Sequence, residues 1–123
     1  MRYLTDRKRA AGLGSAKSGT EHHWSMQISS MALIVLVPLF VFTIGGALGR
    51  DFAEVQAYYG RPFPAIVAAL TIWVGMIHFK NGCQMAIEDY VHGYAGRFAI
   101  IAVTCIAYAI IATSVYALIK LAL

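Results

Sequence analysis

The chain has 123 residues, of which 59% are hydrophobic and 13% charged, with a formal net charge of +4. A water-soluble domain carries about 25% charged residues, so an ordinary soluble domain is excluded and no nucleic acid is expected as a partner. The charges are segregated: residues 1–21 hold Arg2, Asp6, Arg7, Lys8, Arg9, Lys17 and Glu21, and residues 22–49 hold none.

Residues 1–25 read as a basic arm. A transit peptide is basic and poor in acids too, but it needs an amphipathic apolar face, and this stretch is broken by Gly12, Gly14 and Gly19. The apolar run that follows is too long for a signal peptide and lacks a cleavage pattern. The segment Gly12-Leu-Gly-Ser-Ala-Lys17-Ser18-Gly superficially suggests a phosphate loop. It lacks the glycine before the lysine and a preceding strand, so that reading fails.

Residues 26–123 form an all-α membrane domain with three predicted spans, at about 26–48, 65–87 and 98–121. Each holds the roughly 20 residues a helix needs to cross ~30 Å of hydrocarbon. A helix satisfies its own backbone there, where an unpaired amide costs several kcal/mol. Pro38 lies inside the first span, where a kink is expected. Gly45, Gly46 and Gly49 close that span, Arg61-Pro62-Phe63-Pro64 lead into the second, and His92-Gly93 and Gly96-Arg97 lead into the third.

Orientation follows the Lys and Arg bias. The arm carries Arg2, Arg7, Lys8, Arg9 and Lys17, against Arg50 and Arg61 in the first loop, Arg97 in the second and Lys120 at the C-terminus. The N-terminus is therefore expected in the cytoplasm. That puts Glu88-Asp89-Tyr90 on the same side. Trp24 and Tyr3, Tyr58, Tyr59, Tyr90, Tyr94 and Tyr116 suit interfacial positions. Cys83 and Cys105 are intramembrane, are not spaced as a pair, and read as small buried residues.

The second span carries the chemistry. An ionisable residue within a transmembrane helix is a functional candidate by default, and His78 is one. At about 100° per residue, Thr71, Val74, Gly75, Asn81, Gly82, Met85 and Asp89 all fall within about 60° of His78. Ile72, Trp73, Met76 and Phe79 lie on the other side. Two chemistries suit this stripe. In one, Gly75 and Gly82 make a small-residue packing seam and His78 hydrogen-bonds across it. In the other, His78 ligates a haem iron, and the glycines leave room for a flat macrocycle one turn either side. The first and third spans contain no histidine, so a second imidazole must come from a partner chain. Zinc lacks a second ligand on this face. Lys80 points away from His78 and either snorkels to the surface or pairs with a partner's carboxylate.

Asp89 and Tyr90 end the span about 16 Å from His78, at ~1.5 Å rise per residue. They are either an interfacial anchor and a solvated acid, or a phenol that hydrogen-bonds a quinone carbonyl beside a carboxylate that relays protons.

The segment His78-Phe-Lys80-Asn-Gly82-Cys-Gln84-Met-Ala-Ile-Glu88-Asp89-Tyr90 resembles the hydrophobic membrane-anchor D subunits of succinate dehydrogenase (complex II), with a histidine in the second span and Asp-Tyr 11 and 12 residues later. The arm Gly12-Leu-Gly-Ser-Ala-Lys-Ser-Gly-Thr-Glu-His-His-Trp24 is similar to alphaproteobacterial members. The resemblance covers nearly the whole chain. It implies a complex in the bacterial inner membrane with a flavoprotein carrying FAD, an iron–sulfur subunit and a second anchor of the cytochrome b556 type. Haem b would sit between the anchors, with His78 as one axial ligand and Gly75 and Gly82 packed against it. Ubiquinone would bind at Tyr90 and Asp89. The subunit would have no catalytic power alone. Relatives often carry an arginine early in the first span, near the haem propionates. This chain reads Ser-Met-Gln27-Ile28-Ser29-Ser30 there, leaving His22, His23, Gln27 and Ser29 as weaker propionate contacts. The alternatives are the haem b anchor of a fumarate reductase, running the reverse reaction, and a haem-free structural membrane protein.

Overall fold

The computed structural model describes residues 4–12 and 20–122. Five helices follow in order: α1 Asp6–Ala11, α2 Glu21–Gly45, α3 Phe52–Tyr59, α4 Pro62–Tyr90 and α5 Gly93–Ala122. The all-α class and the three spans stand, since α2, α4 and α5 are each long and apolar enough to cross a membrane.

The helix ends have local causes. Thr5 caps α1, its hydroxyl accepting from the Lys8 amide at 3.3 Å. Asp51 caps α3 in the same way, accepting from the Glu54 amide at 2.8 Å. Pro62 starts α4 at its first turn, where a missing amide proton costs nothing. Pro38 sits inside α2 and removes the amide that would otherwise bond the Ile34 carbonyl.

Helices α4 and α5 run beyond their predicted bounds at both ends, whereas α2 starts earlier than predicted and stops at Gly45, short of the predicted 48. Helix α2 begins at Glu21, so His22, His23 and Trp24 belong to its first turns. Helix α4 extends three residues earlier and later than the predicted 65–87. Helix α3 lies in what the sequence suggests is a plain loop. Tyr58 and Tyr59 meet edge to face with centroids 5.4 Å apart, and Arg50 lies 5.4 Å over the Tyr58 ring. Burial, then the neighbouring Tyr58, raises the pKa of the Tyr59 phenol, so that ring stays neutral at physiological pH.

Helix α4 is the middle of the array. Helix α2 packs on one side of it and α5 on the other, and among the described residues α2 and α5 do not touch. The burial agrees: 22% of the most apolar stretch of α4 is buried, against 11% in α2 and in α5. Val67 and Ala68 of α4 and Ala107 and Ile111 of α5 are buried between the helices, and Pro64 is buried near the start of α4. Outward-facing Ile34, Phe42 and Phe98 are exposed, as lipid or a partner would have them.

Helices α4 and α5 are joined by a tight turn that needs two glycines. Gly93 adopts φ 72°, the left-handed region that side chains avoid. A Cβ at Gly96 would run into the Val91 carbonyl.

Candidate functional site

The seam between α2 and α4 is polar. Asn81 Nδ2 donates to Ser25 Oγ at 3.2 Å. One turn deeper, Ser29 Oγ lies 2.9 Å from His78 Nδ1. Deeper still, Thr71 Oγ1 donates to the Val67 carbonyl at 2.7 Å and reaches the Leu36 carbonyl at 3.4 Å. Ser29, Thr71 and Asn81 are buried and His78 is half-buried. In hydrocarbon such groups need partners, and antiparallel helices of this register supply them.

The stripe expected around His78 therefore faces α2. A Cβ at Gly75 would touch Leu33 Cδ2 at 3.9 Å, and one at Gly82 would touch Met26 Cε at 3.8 Å. Both glycines lie on the α2 seam, where their missing side chains let the helices approach.

His78 is held by one nitrogen only. Its Nε2 makes no hydrogen bond to the described residues, while Nδ1 is paired with Ser29. No group of three His, Cys, Asp or Glu side chains converges on a metal-sized site among the described residues. A metal at His78 would take its other ligands from outside these residues. Alongside the seam runs an open apolar cleft of about 570 Å³, lined by Trp24, Ile28 and Ala32 of α2 and Trp73, Val74 and Ile77 of α4, with Ser25 and Ser29 also on its wall.

The proposed propionate contacts separate. Ser29 has its hydroxyl occupied by the Ser25 carbonyl at 2.7 Å, the Met26 carbonyl at 2.9 Å and the imidazole. It has no capacity left for a carboxylate. Gln27 and His23 are exposed. His22 has a buried Nε2 with no hydrogen-bond partner among the described residues, a polar atom that wants an acceptor or donor from outside the chain.

Lys80 lies seven residues before Ile87, whose side chain approaches Gly96 of α5. Lys80 is thus on the α5 side of α4, away from His78, and makes no ion pair with the described residues. At the end of α4, Gln84 Nε2 donates to Glu88 Oε1 at 2.8 Å. Asp89 is exposed, and Tyr90 is 83% exposed, its ring uncovered by this chain. Nearby, Arg97 lies 5.9 Å over the Tyr94 ring.

Three apolar helices, with a polar seam that holds a half-buried histidine on the middle one, define a membrane-spanning anchor protein. The chain belongs to the family of succinate dehydrogenase/fumarate reductase transmembrane subunits, whose family model matches residues 1–119. It is 48% identical to the succinate dehydrogenase hydrophobic membrane anchor subunit of Paracoccus denitrificans, over 100% of this chain and 95% of that one. The subunits of the same description from Rickettsia bellii and Rickettsia conorii are 32% and 30% identical, each over 68% of this chain and 66% and 67% of theirs. No solved structure matches it.

Proposed function

We propose that this protein anchors a succinate:quinone oxidoreductase in the bacterial inner membrane, provides one axial ligand to haem b, and contributes to a ubiquinone site. The observation that carries the haem assignment is the Ser29–His78 contact. It engages one ring nitrogen inside the chain and leaves Nε2 for a ligand supplied from outside. The apolar cleft beside it, walled by Trp24 and Trp73, suits the edge of a macrocycle. Of the proposed propionate contacts, His23 and Gln27 are exposed and free to reach one, whereas His22 Nε2 is covered by the chain. When bound, the haem supplies a one-electron redox centre in the membrane.

The second anchor would bring the other axial ligand, and the flavoprotein and iron–sulfur subunits would dock on the cytoplasmic side. That side also holds Tyr90 if the basic arm is retained there. Reduction of a quinone places negative charge on its oxygens, and a neutral phenol can donate to one as that charge develops. Tyr90 stands at the end of α4, where a head group can sit while its tail stays in lipid. Asp89 beside it can hold a water or a proton.

The test is a reduced-minus-oxidised optical spectrum of the purified complex together with identification of its co-purifying subunits. The proposal expects low-spin haem b, lost or altered in His78→Ala, with two soluble subunits and a second anchor. A His78→Ala complex with an unchanged haem spectrum would reject the ligand.

A further inference from the structure

The hydrogen at the Ser29–His78 contact can be placed. Ser29 Oγ stands 2.7 Å from the Ser25 carbonyl, 2.9 Å from the Met26 carbonyl and 2.9 Å from His78 Nδ1. A hydroxyl has one proton and two lone pairs, and a carbonyl oxygen only accepts. Both carbonyl contacts therefore call on the one proton, shared between them along the helix wall. Were it turned to Nδ1 instead, the hydroxyl lone pairs would face two carbonyl oxygens within 3 Å in a buried place. The hydroxyl thus presents a lone pair to the imidazole, and Nδ1 carries the ring proton.

We infer that Ser29 is a positioning residue for His78, fixing the Nδ1–H tautomer and the ring plane so that the Nε2 lone pair is the one presented to iron; this rests on the haem reading above. A histidine ligand is oriented by the acceptor on its other nitrogen, which also raises its basicity. Here that acceptor comes from a different helix, 49 residues earlier in the chain. The surroundings keep it in register. Asn81, one turn after His78, holds Ser25, one turn before Ser29. Ser29 is only 7% exposed, so water does not readily replace its hydroxyl.

Greater ligand basicity favours ferric iron, so losing the acceptor should raise the haem midpoint potential. In the assembled complex, Ser29→Ala should raise the ferrous-to-ferric ratio at a fixed ambient potential about tenfold, equal to 59 mV for one electron. It should also shift the low-spin electron paramagnetic resonance signal, and haem should be lost about tenfold more readily. Ser29→Thr keeps the hydroxyl on the same carbon and should restore potential and signal together. Ser29→Cys, nearly isosteric but with a weaker acceptor, should move both in the alanine direction and gives the same reading should the alanine complex fail to assemble. A purely structural Ser29 would lower the yield of complex without moving the potential or the signal of the haem that remains. An Ala or Cys complex whose bound haem keeps the parental potential and signal overturns the inference. A parental complex without haem instead overturns the haem reading itself, so the two failures are distinct.

Discussion

Asn81 on α4 and Ser25 on α2 are joined across the seam, amide nitrogen to hydroxyl oxygen at 3.2 Å. Apart from this pair, Ser29–His78 and Thr71 with the Leu36 carbonyl, the facing surfaces are largely apolar, and apolar surface gives no preference for a neighbour helix over lipid. These few polar contacts, the Asn81–Ser25 pair among them, therefore do much to choose between this register and one shifted by a turn. Asn81→Ala should cost about 0.6 kcal/mol, the average for an interhelical hydrogen bond in a membrane protein. A double-mutant cycle with Ser25→Ala, read by denaturation in detergent, should show coupling of that size. Additive effects would show that the pair carries no energy.

Gly96 makes a sharper prediction. A Cβ there meets the Val91 carbonyl, a backbone atom that cannot swing away. Gly96→Ala should open the α4–α5 turn and lower stability by about 1–3 kcal/mol. A lower Tm of the purified complex would register it. Gly75→Ala is the control, since its Cβ meets only Leu33 Cδ2, at ordinary contact distance.

Gly82→Leu should do more than loosen the seam. The added side chain would push against Met26 beside the Ser25–Asn81 pair and spread α2 from α4 next to His78. Haem content per complex should fall, measured by pyridine haemochrome against protein. Full haem content would mean that α2 can move aside without disturbing the ligand.

The arm and the α4–α5 turn are predicted to share the cytoplasmic side, from the Lys and Arg bias. In a background lacking Cys83 and Cys105, cysteines at Ala10 and Gln56 should label from opposite sides with an impermeant thiol reagent. Labelling of both from one side would contradict a crossing by α2, and labelling of the Ala10→Cys variant from the outside alone would contradict the orientation.

Tyr90→Phe should lower ubiquinone reduction about tenfold, as loss of ~1.4 kcal/mol of transition-state hydrogen bonding would. Electron transfer from succinate to an acceptor that intercepts electrons before quinone should be nearly unchanged. Full quinone turnover with an unaltered KM would leave Tyr90 as an interfacial anchor.

The three spans were legible because hydrocarbon demands about 20 apolar residues from any helix crossing it. Their ends were not, because hydropathy reports depth in lipid whereas the helix continues into the interface. Glu21, His22 and His23 are polar and still helical. Helix α3 is too short to announce itself by hydrophobicity, yet Asp51 three residues before Glu54 is a capping pattern that marks its start. His78 stood out as an ionisable residue in a span. Its partner Ser29 did not, because only the packing register of two helices decides which serine of α2 comes level with it. The absence of an early arginine suggested Ser29 for a propionate, but the pairing with His78 and the two carbonyls takes up its hydroxyl.

Because α2 and α5 do not touch among the described residues, the two seams of the molecule meet only through α4. Among the described residues, α2 packs on α4 and on no other helix, with α3 between them in the chain. The α2–α4 hairpin holds the whole polar seam, its half-buried histidine included, and takes no hydrogen bond of it from α5. Helix α5 packs on the far side of α4, led there by the short turn at Gly93. A change on the α5 face of α4 should therefore leave the Ser25–Asn81 and Ser29–His78 pairs in place, whereas a change on the α2 face reaches both.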